Sequence, residues 1–180
     1  SEGFVADDHA RDVGSDAELA LDKDGTFLAM RVKNINNLGA YLTAGASMVP
    51  TFMNLGTLAG VYTTPEIYVE VTSVYTNTQS TTPYRGAGRP EAAYILERMI
   101  DLAAEELQLD RIDIRRRNII PAEDMPFQTG LTFNYDSGEF EKNMDIAIQT
   151  ADLAGFEARY QKSGTNNKLR GFSLIHMIES

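Results

Sequence analysis

The stretch Thr81-Thr82-Pro83-Tyr84-Arg85-Gly86-Ala87-Gly88-Arg89-Pro90-Glu91-Ala92 gathers the residue types that can hold an anion. Two arginines and two glycines stand directly before Pro90, and proline suits the first turn of a helix, where a missing N–H loses no partner. Glycine lets the backbone approach a ligand closely, first-turn N–H groups are unpaired donors, and the helix dipole adds positive potential. An anionic or oxo-rich group can dock on such a loop. It is not a dinucleotide fingerprint, because Gly86-Ala87-Gly88 is followed by Arg89-Pro90-Glu91 without a third glycine, and it lacks the Lys-Ser/Thr of a phosphate loop. The plain alternative is a strand-to-helix turn with two solvent-facing arginines. Residue types alone leave both readings open.

Other groups point to chemistry less directly. Asp7, Asp8, His9 and Asp12 offer oxygen and nitrogen ligands, but their spacing matches neither a calcium loop nor a zinc helix, so they read as a solvated, salt-bridged terminus. Arg115-Arg116-Arg117 falls near a helix C-terminus, where positive charge complements the dipole, and reads as structural. Tyr62, Tyr68, Tyr75 and Tyr84 read as cross-strand packing rather than a pocket lining. His9 and His176 are the only histidines, and neither has a nucleophile context. His176 lies in an apolar run and reads as a satisfied core residue.

The elements that must position these residues follow from periodicity. Ser1 to Asp12 is an irregular lead-in. Ala17 to Leu21 alternates apolar and polar, Asp22-Lys23-Asp24-Gly25 supplies turn chemistry, and Thr26 to Val32 alternates again, predicting a hairpin with Gly25 at positive φ. From Asn34 to Thr64 glycine and asparagine break the pattern, and a segment this long must be pinned to something else. Glu66 to Tyr75 is rich in β-branched and aromatic residues and reads as a long strand. Pro90 opens a helix whose stripe is Leu96, Met99, Ile100, Ala103 and Leu107. Asp110 caps a second helix running to Arg117, followed by a connector from Asn118 to Pro126. A third helix starts near Asp136 or Ser137, with Asp136 and Glu139 as a capping box, a stripe of Phe140, Met144, Ala147, Ala151 and Ala154, and Gly155 as its stop. Gln161 to Lys168 reads as a loop and Leu169 to Ile178 as a strand. The class is α+β: a β-hairpin and mixed strands followed by three helices, without regular βαβ alternation.

Composition bounds the function. The chain has 180 residues, with 16 basic and 26 acidic side chains and a net charge of −10. A chain of this length buries roughly 70% of its unfolded surface, enough for one domain or a large piece of one. Nucleic acid and anionic membrane surfaces need a positive face and are excluded as partners. With no cysteine there is no disulfide, no thiolate metal or iron–sulfur site and no cysteine nucleophile. No apolar run reaches the 18 or so residues of a membrane span, no signal peptide is visible, and the cytoplasm is the expected compartment.

The chain resembles the molybdopterin-binding large subunit of the molybdenum hydroxylases, the xanthine dehydrogenase and aldehyde oxidase family, in its carbon monoxide dehydrogenase-like branch. The resemblance is carried by Asp8-His9-Ala10-Arg11-Asp12, Leu19 to Gly25, Asn37-Leu38-Gly39-Ala40-Tyr41 and Gly60 to Pro65. More specific are Tyr84 to Ala92, Arg115 to Asn118, Met125-Pro126-Phe127-Gln128-Thr129 and Tyr135 to Phe140, in an order that holds over nearly the whole chain. It implies that the 1–180 stretch is an internal fragment of a larger molybdenum-cofactor-binding domain. It also implies hydroxylation of an aldehyde or N-heterocycle carbon, with oxygen taken from water.

On this resemblance Tyr84, Arg85 and Gly86 bind the cofactor, the backbone at Arg85 approaching its metal end, while Ala87 and Gly88 border the substrate pocket. No residue of the fragment is catalytic or a direct metal ligand, since the family's base, a glutamate far towards the C-terminus of the subunit, is missing here, and the fragment is inactive alone. The implied cofactor is molybdenum-molybdopterin in its cytosine dinucleotide form, with a 2Fe-2S cluster and FAD on partners, an iron–sulfur small subunit and an FAD-binding medium subunit. The resemblance also implies a small-molecule substrate and an oligomeric assembly. Gly86 stands where carbon monoxide dehydrogenases carry a copper-binding cysteine, which argues against CO as substrate. Ala87 replaces the phenylalanine of purine oxidisers and Met53 their substrate-binding arginine, which argues against purines.

Overall fold

The computed structural model describes residues 2–179. Its lead-in, of which Ser1 lies outside the described residues, holds one helical turn, α1 (Gly3–Ala6), where an irregular segment was expected. The predicted hairpin is present as β1 (Val13–Leu21) and β2 (Phe27–Gly39), antiparallel. Its turn is built by Asp22, whose Oδ1 accepts the N–H groups of Asp24 and Thr26 at 2.9 and 2.8 Å, and by Gly25 at φ +86°.

β2 runs well past Val32, into the stretch that reads as irregular. Its inward positions there are Asn34 and Asn36, 2% and 4% exposed, while Ile35 faces out at 61%. The polarity of the alternation is therefore reversed. Asn34 is tolerated inside because Ser15 Oγ donates to its Oδ1 at 2.7 Å and its own Nδ2 donates to Asn54 Oδ1 at 3.3 Å. The sheet is completed by β3 (Glu66–Tyr75), which has the predicted bounds and pairs parallel to β2 in the order β1-β2-β3. The crossover between β2 and β3 carries a π-turn (Val49–Met53) and the short α2 (Asn54–Thr57), so the segment is pinned as its composition requires.

α3 (Arg89–Leu107) starts at the predicted proline and lays Ala92, Ile95, Leu96, Ile100, Ala103 and Ala104 on Phe27, Met30 and Val32 of β2 and on Leu58, Val61 and Tyr62 of the crossover. Burying each of the larger side chains contributes about 1.5–3 kcal/mol. α4 (Arg111–Asn118) is capped by Asp110, whose Oδ1 accepts from Ile112 N at 2.7 Å and Asp113 N at 3.1 Å. β4 (Phe127–Gln128) and β5 (Asn134–Tyr135) form a small antiparallel pair.

The C-terminal third departs most from expectation. α5 (Phe140–Thr150) begins later than predicted, so Glu139 occupies the cap position instead of the third helical one and no capping box forms. Its carboxylate takes Lys142 Nζ at 2.9 Å, and Asp136 accepts from Ser137 Oγ. The core stripe is Phe140, Met144 and Ile148, with Ala147, Ala151 and Ala154 exposed. The helix ends before Gly155 because Asp152 adopts φ +48° and its side chain accepts from Gly155 N at 3.2 Å. A further helix, α6 (Phe156–Thr165), occupies most of the expected loop. Leu169 to Ile178 is extended but joins no ladder. Leu174 and Ile178 pack on the core, and His176 N–H donates to Glu97 Oε1 at 3.0 Å.

Candidate cofactor-binding site

The loop between β3 and α3 folds into a tight turn that is exposed at Tyr84 and Arg85, half-buried at Gly86 and Ala87 and buried at Gly88. Gly86, Ala87 and Gly88 have φ of +88°, +36° and +94° in succession, and the turn is closed by Ala87 N to Tyr84 O at 2.7 Å and Arg89 N to Gly86 O at 2.9 Å. Two neighbours hold it from behind. Asn54 Nδ2 donates to Gly88 O at 3.1 Å, and a Cβ on Gly88 would lie 2.6 Å from Val49 O and 2.9 Å from Asn54 N. The middle of the crossover, around Met53, is thus packed directly under the loop.

The second neighbour is Arg11, which arrives from the lead-in because His9 and Thr81 form a parallel bridge, with His9 N–H donating to Ser80 O and Thr82 N–H to His9 O, both at 2.8 Å. Arg11 Nη2 donates to the carbonyl of Arg85, its guanidinium lies 5.0 Å from the centre of the Tyr84 ring, and its Nε is 3.7 Å from Glu91 Oε1. Among the described residues, the backbone N–H groups of Arg85 and Gly86 make no hydrogen bond. The Tyr84 and Arg85 side chains are exposed and Gly86 is half-buried, so the two unpaired amide donors lie in the exposed part of the loop.

Arg89 does not face solvent as the plain turn reading expects. Its side chain is 12% exposed and reaches Glu179 Oε1 at 3.1 Å. Beside the loop, a cleft of about 650 Å³ between β1 and α3 is lined by Arg11, Asp16, Glu91, Tyr94 and Arg98 among others.

The remaining candidates take other places. Asp7, Asp8 and His9 are exposed, Asp12 Oδ2 accepts from Asn37 Nδ2 at 2.7 Å, and no metal-ligating cluster exists among the described residues. Tyr68, Tyr75 and Tyr84 are exposed while Tyr62 is buried against Phe27 and His176, so the four tyrosines line no common pocket.

Arg115, read from the sequence as structural, is the largest fully buried side chain among the described residues. Its Nε donates to Glu97 Oε2 at 2.8 Å and its Nη2 to Asp101 Oδ1 at 2.9 Å. Tyr62 OH donates to Glu97 Oε1 at 2.8 Å and lies 3.2 Å from His176 Nδ1. Burial raises the Glu97 pKa even against the pull of Arg115, and burial, followed by the Arg115 charge, pushes His176 down to about 4. His176 is only half satisfied, because its Nε2 is buried without a partner. Sequence reasoning missed both Arg11 and this network, since each joins residues far apart in the chain.

The donor set fits an oxygen-rich, anionic group. Two unpaired amides, of Arg85 and Gly86, stand at the start of a turn whose next residues have positive φ and whose Gly88 is packed against the crossover, an arrangement that concentrates N–H dipoles. Residues 1–119 match the model of the molybdopterin cofactor-binding domain, and the chain belongs to that family. More particularly, it is a molybdopterin-binding domain of the molybdenum hydroxylases.

The 6-hydroxypseudooxynicotine dehydrogenase complex subunit gamma of Paenarthrobacter nicotinovorans is 33% identical over 158 residues, covering 85% of this chain and 20% of that protein. The carbon monoxide dehydrogenase large chain of Hydrogenophaga pseudoflava is 34% identical over 178 residues, covering 94% of this chain and 22% of its own length. The crystal structure of quinoline 2-oxidoreductase from Pseudomonas putida 86 superposes with a TM-score of 0.84 at 30% identity, over 92% of this chain and 21% of that one. The chain therefore spans about a fifth of the length of the relatives it matches.

Proposed function

We propose that this chain forms one wall of the active site in the catalytic subunit of a molybdenum hydroxylase acting on an aldehyde or an N-heterocycle carbon. The observation that carries the reading is the loop Tyr84 to Gly88, where Arg85 and Gly86 present free N–H groups on a turn braced from two sides. Bound there, the molybdenum-molybdopterin group would supply the two-electron chemistry that delivers water-derived oxygen to carbon. The chain's own contribution is positional. The amides of Arg85 and Gly86 would donate to oxygens of the group, and the small Gly86 and Ala87 leave room for a substrate at that wall.

The names of the relatives support an N-heterocycle as substrate, since quinoline 2-oxidoreductase is among the structures that superpose. On the family resemblance, Gly86 standing where carbon monoxide dehydrogenases carry a copper-binding cysteine disfavours CO. The catalytic base, the cytosine dinucleotide form of the cofactor, a 2Fe-2S subunit, an FAD subunit, an oligomeric cytoplasmic assembly and the inactivity of the isolated chain all belong to this proposal. A subunit gamma of a dehydrogenase complex among the relatives favours partner subunits.

The test is to purify the parent subunit with its partners and measure molybdenum, pterin and dye-linked oxidation of aldehydes and N-heterocycles. Stoichiometric molybdenum and pterin with turnover on one of these classes is the expected result; a fully folded complex devoid of both would overturn the reading. An anion-binding module without redox chemistry would instead bind pyrophosphate tightly in the isolated chain, and engagement of Arg89 by Glu179 already weakens that alternative.

A further inference from the structure

We infer that Arg11 is a positioning residue for the cofactor loop, holding the Arg85–Gly86 peptide in the orientation that turns the Gly86 N–H away from the guanidinium, and that Glu91 holds Arg11 in turn. The inference rests on the reading of Tyr84 to Gly88 as the cofactor wall. Three contacts converge on one guanidinium: Nη2 on the Arg85 carbonyl, the Tyr84 ring at 5.0 Å, and Glu91 at 3.7 Å from Nε. They come from both ends of the loop, so one planar group ties Tyr84 and Arg85 to the first turn of α3. A Cβ on Gly86 would also lie 3.9 Å from Nη2, so the guanidinium lies alongside the turn.

Two further observations mark the arrangement as more than a surface ion pair. Arg11 itself sits at φ +63°, a conformation that an L side chain rarely adopts and that persists only where its surroundings over-determine it. Both carboxylate oxygens of Glu91 are buried with no hydrogen-bond partner, so the Arg11 charge is what offsets that burial. A carbonyl gripped on one side of a peptide plane fixes the N–H on the other, because the peptide is rigid. Arginine suits the task because a fork of donors and a stackable plane work at once, which a lysine ammonium does not reproduce.

The parent complex carrying Arg11→Lys, Arg11→Ala or Glu91→Gln tests this, with Arg31→Ala as a control on an exposed pair with Glu18. The readouts are molybdenum and pterin content, the molybdenum(V) electron paramagnetic resonance signature, turnover, and circular dichroism for the fold. Arg11→Lys is expected to fold, to shift the molybdenum(V) signature or lower molybdenum content, and to lose about tenfold or more in turnover, as small displacements of a positioning group do. Glu91→Gln should show the same change in smaller measure, and Arg31→Ala none.

A wild-type signature, metal content and turnover in Arg11→Lys would overturn the inference. So would unfolding of Arg11→Lys, which would make the residue structural; if only Arg11→Ala fails to fold, Arg11→Lys decides. A wild-type complex without molybdenum would overturn the underlying functional reading instead, so the two failures are distinguishable.

Discussion

At the scale of single residues, Gly88 carries the sharpest steric demand. With φ at +94° and backbone atoms 2.6 and 2.9 Å from any added Cβ, Gly88→Ala should cost roughly 2–4 kcal/mol, from left-handed strain plus overpacking against atoms that cannot move aside. Urea unfolding of the isolated chain measures it, and a change within 0.5 kcal/mol or so would contradict the packing described. His176 makes a prediction in pH. Its folded pKa, about 4, lies below its unfolded value of 6.5, so the unfolded state binds the extra proton between these values. The histidine's contribution is therefore complete above pH 6.5 and lost as pH falls towards 4. Glu97, shifted upward, acts in the opposite sense, and comparison with His176→Gln isolates the histidine. That variant should show a flatter fall of unfolding free energy with acid across this window. Tyr84, Arg85, Gly86 and Gly88 were legible as a loop from residue type alone, whereas Arg11 and the Glu97–Arg115 pair were not. Their roles are set by partners 74 and 18 positions away, which no local pattern records.

Among the elements, α3 does most to place the loop, because its first turn follows Gly88 and its buried stripe fixes it to the sheet. Ile100 is fully buried at its centre, and Ile100→Ala should destabilise the chain by about 2–5 kcal/mol in thermal or urea unfolding. An effect below 1 kcal/mol or so would mean that this helix does not anchor the core. The bounds of β3 and three residues of the α3 stripe, Leu96, Ile100 and Ala103, could be read in advance because their apolar residues recur at the strand and helical periods, but Met99 and Leu107 are only half-buried and Ala92, Ile95 and Ala104 take the rest of the buried face. The second half of β2 could not, since Asn34 and Asn36 point inward there and Ile35 outward. In α5 the buried side runs through Phe140, Met144 and Ile148 at i, i+4 and i+8, which leaves Ala147 exposed, while the expected Ala151 and Ala154 lie beyond the helix, which ends at Thr150. The tail shows the complementary failure. Its apolar content reads as a strand, but a strand requires a neighbouring ladder, and among the described residues the tail joins none.

For the molecule as a whole, several large apolar side chains remain outside. Ile35 and Tyr68 on the sheet are 61% and 56% exposed, Tyr75 is 63% exposed, and Ile175 and Met177 on the tail are 54% and 60% exposed. Such exposure over a chain that spans a fifth of its relatives predicts that the isolated polypeptide self-associates despite its charge of −10. Sedimentation velocity should show concentration-dependent oligomers that Ile35→Glu with Tyr75→Ser reduces; a monomer at high concentration would contradict this. The brace on the loop has a consequence for the order in which the chain takes shape. Arg11 must find Arg85 across 74 residues, and Asn54 must find Gly88 across 34, so the turn acquires its geometry only after distant segments have met. Closing such long spans is entropically slow, and contacts of this separation form late on a folding path. If this loop is the cofactor wall proposed above, a nascent polypeptide would have no receptive surface to offer a prosthetic group, and loading would await a finished scaffold.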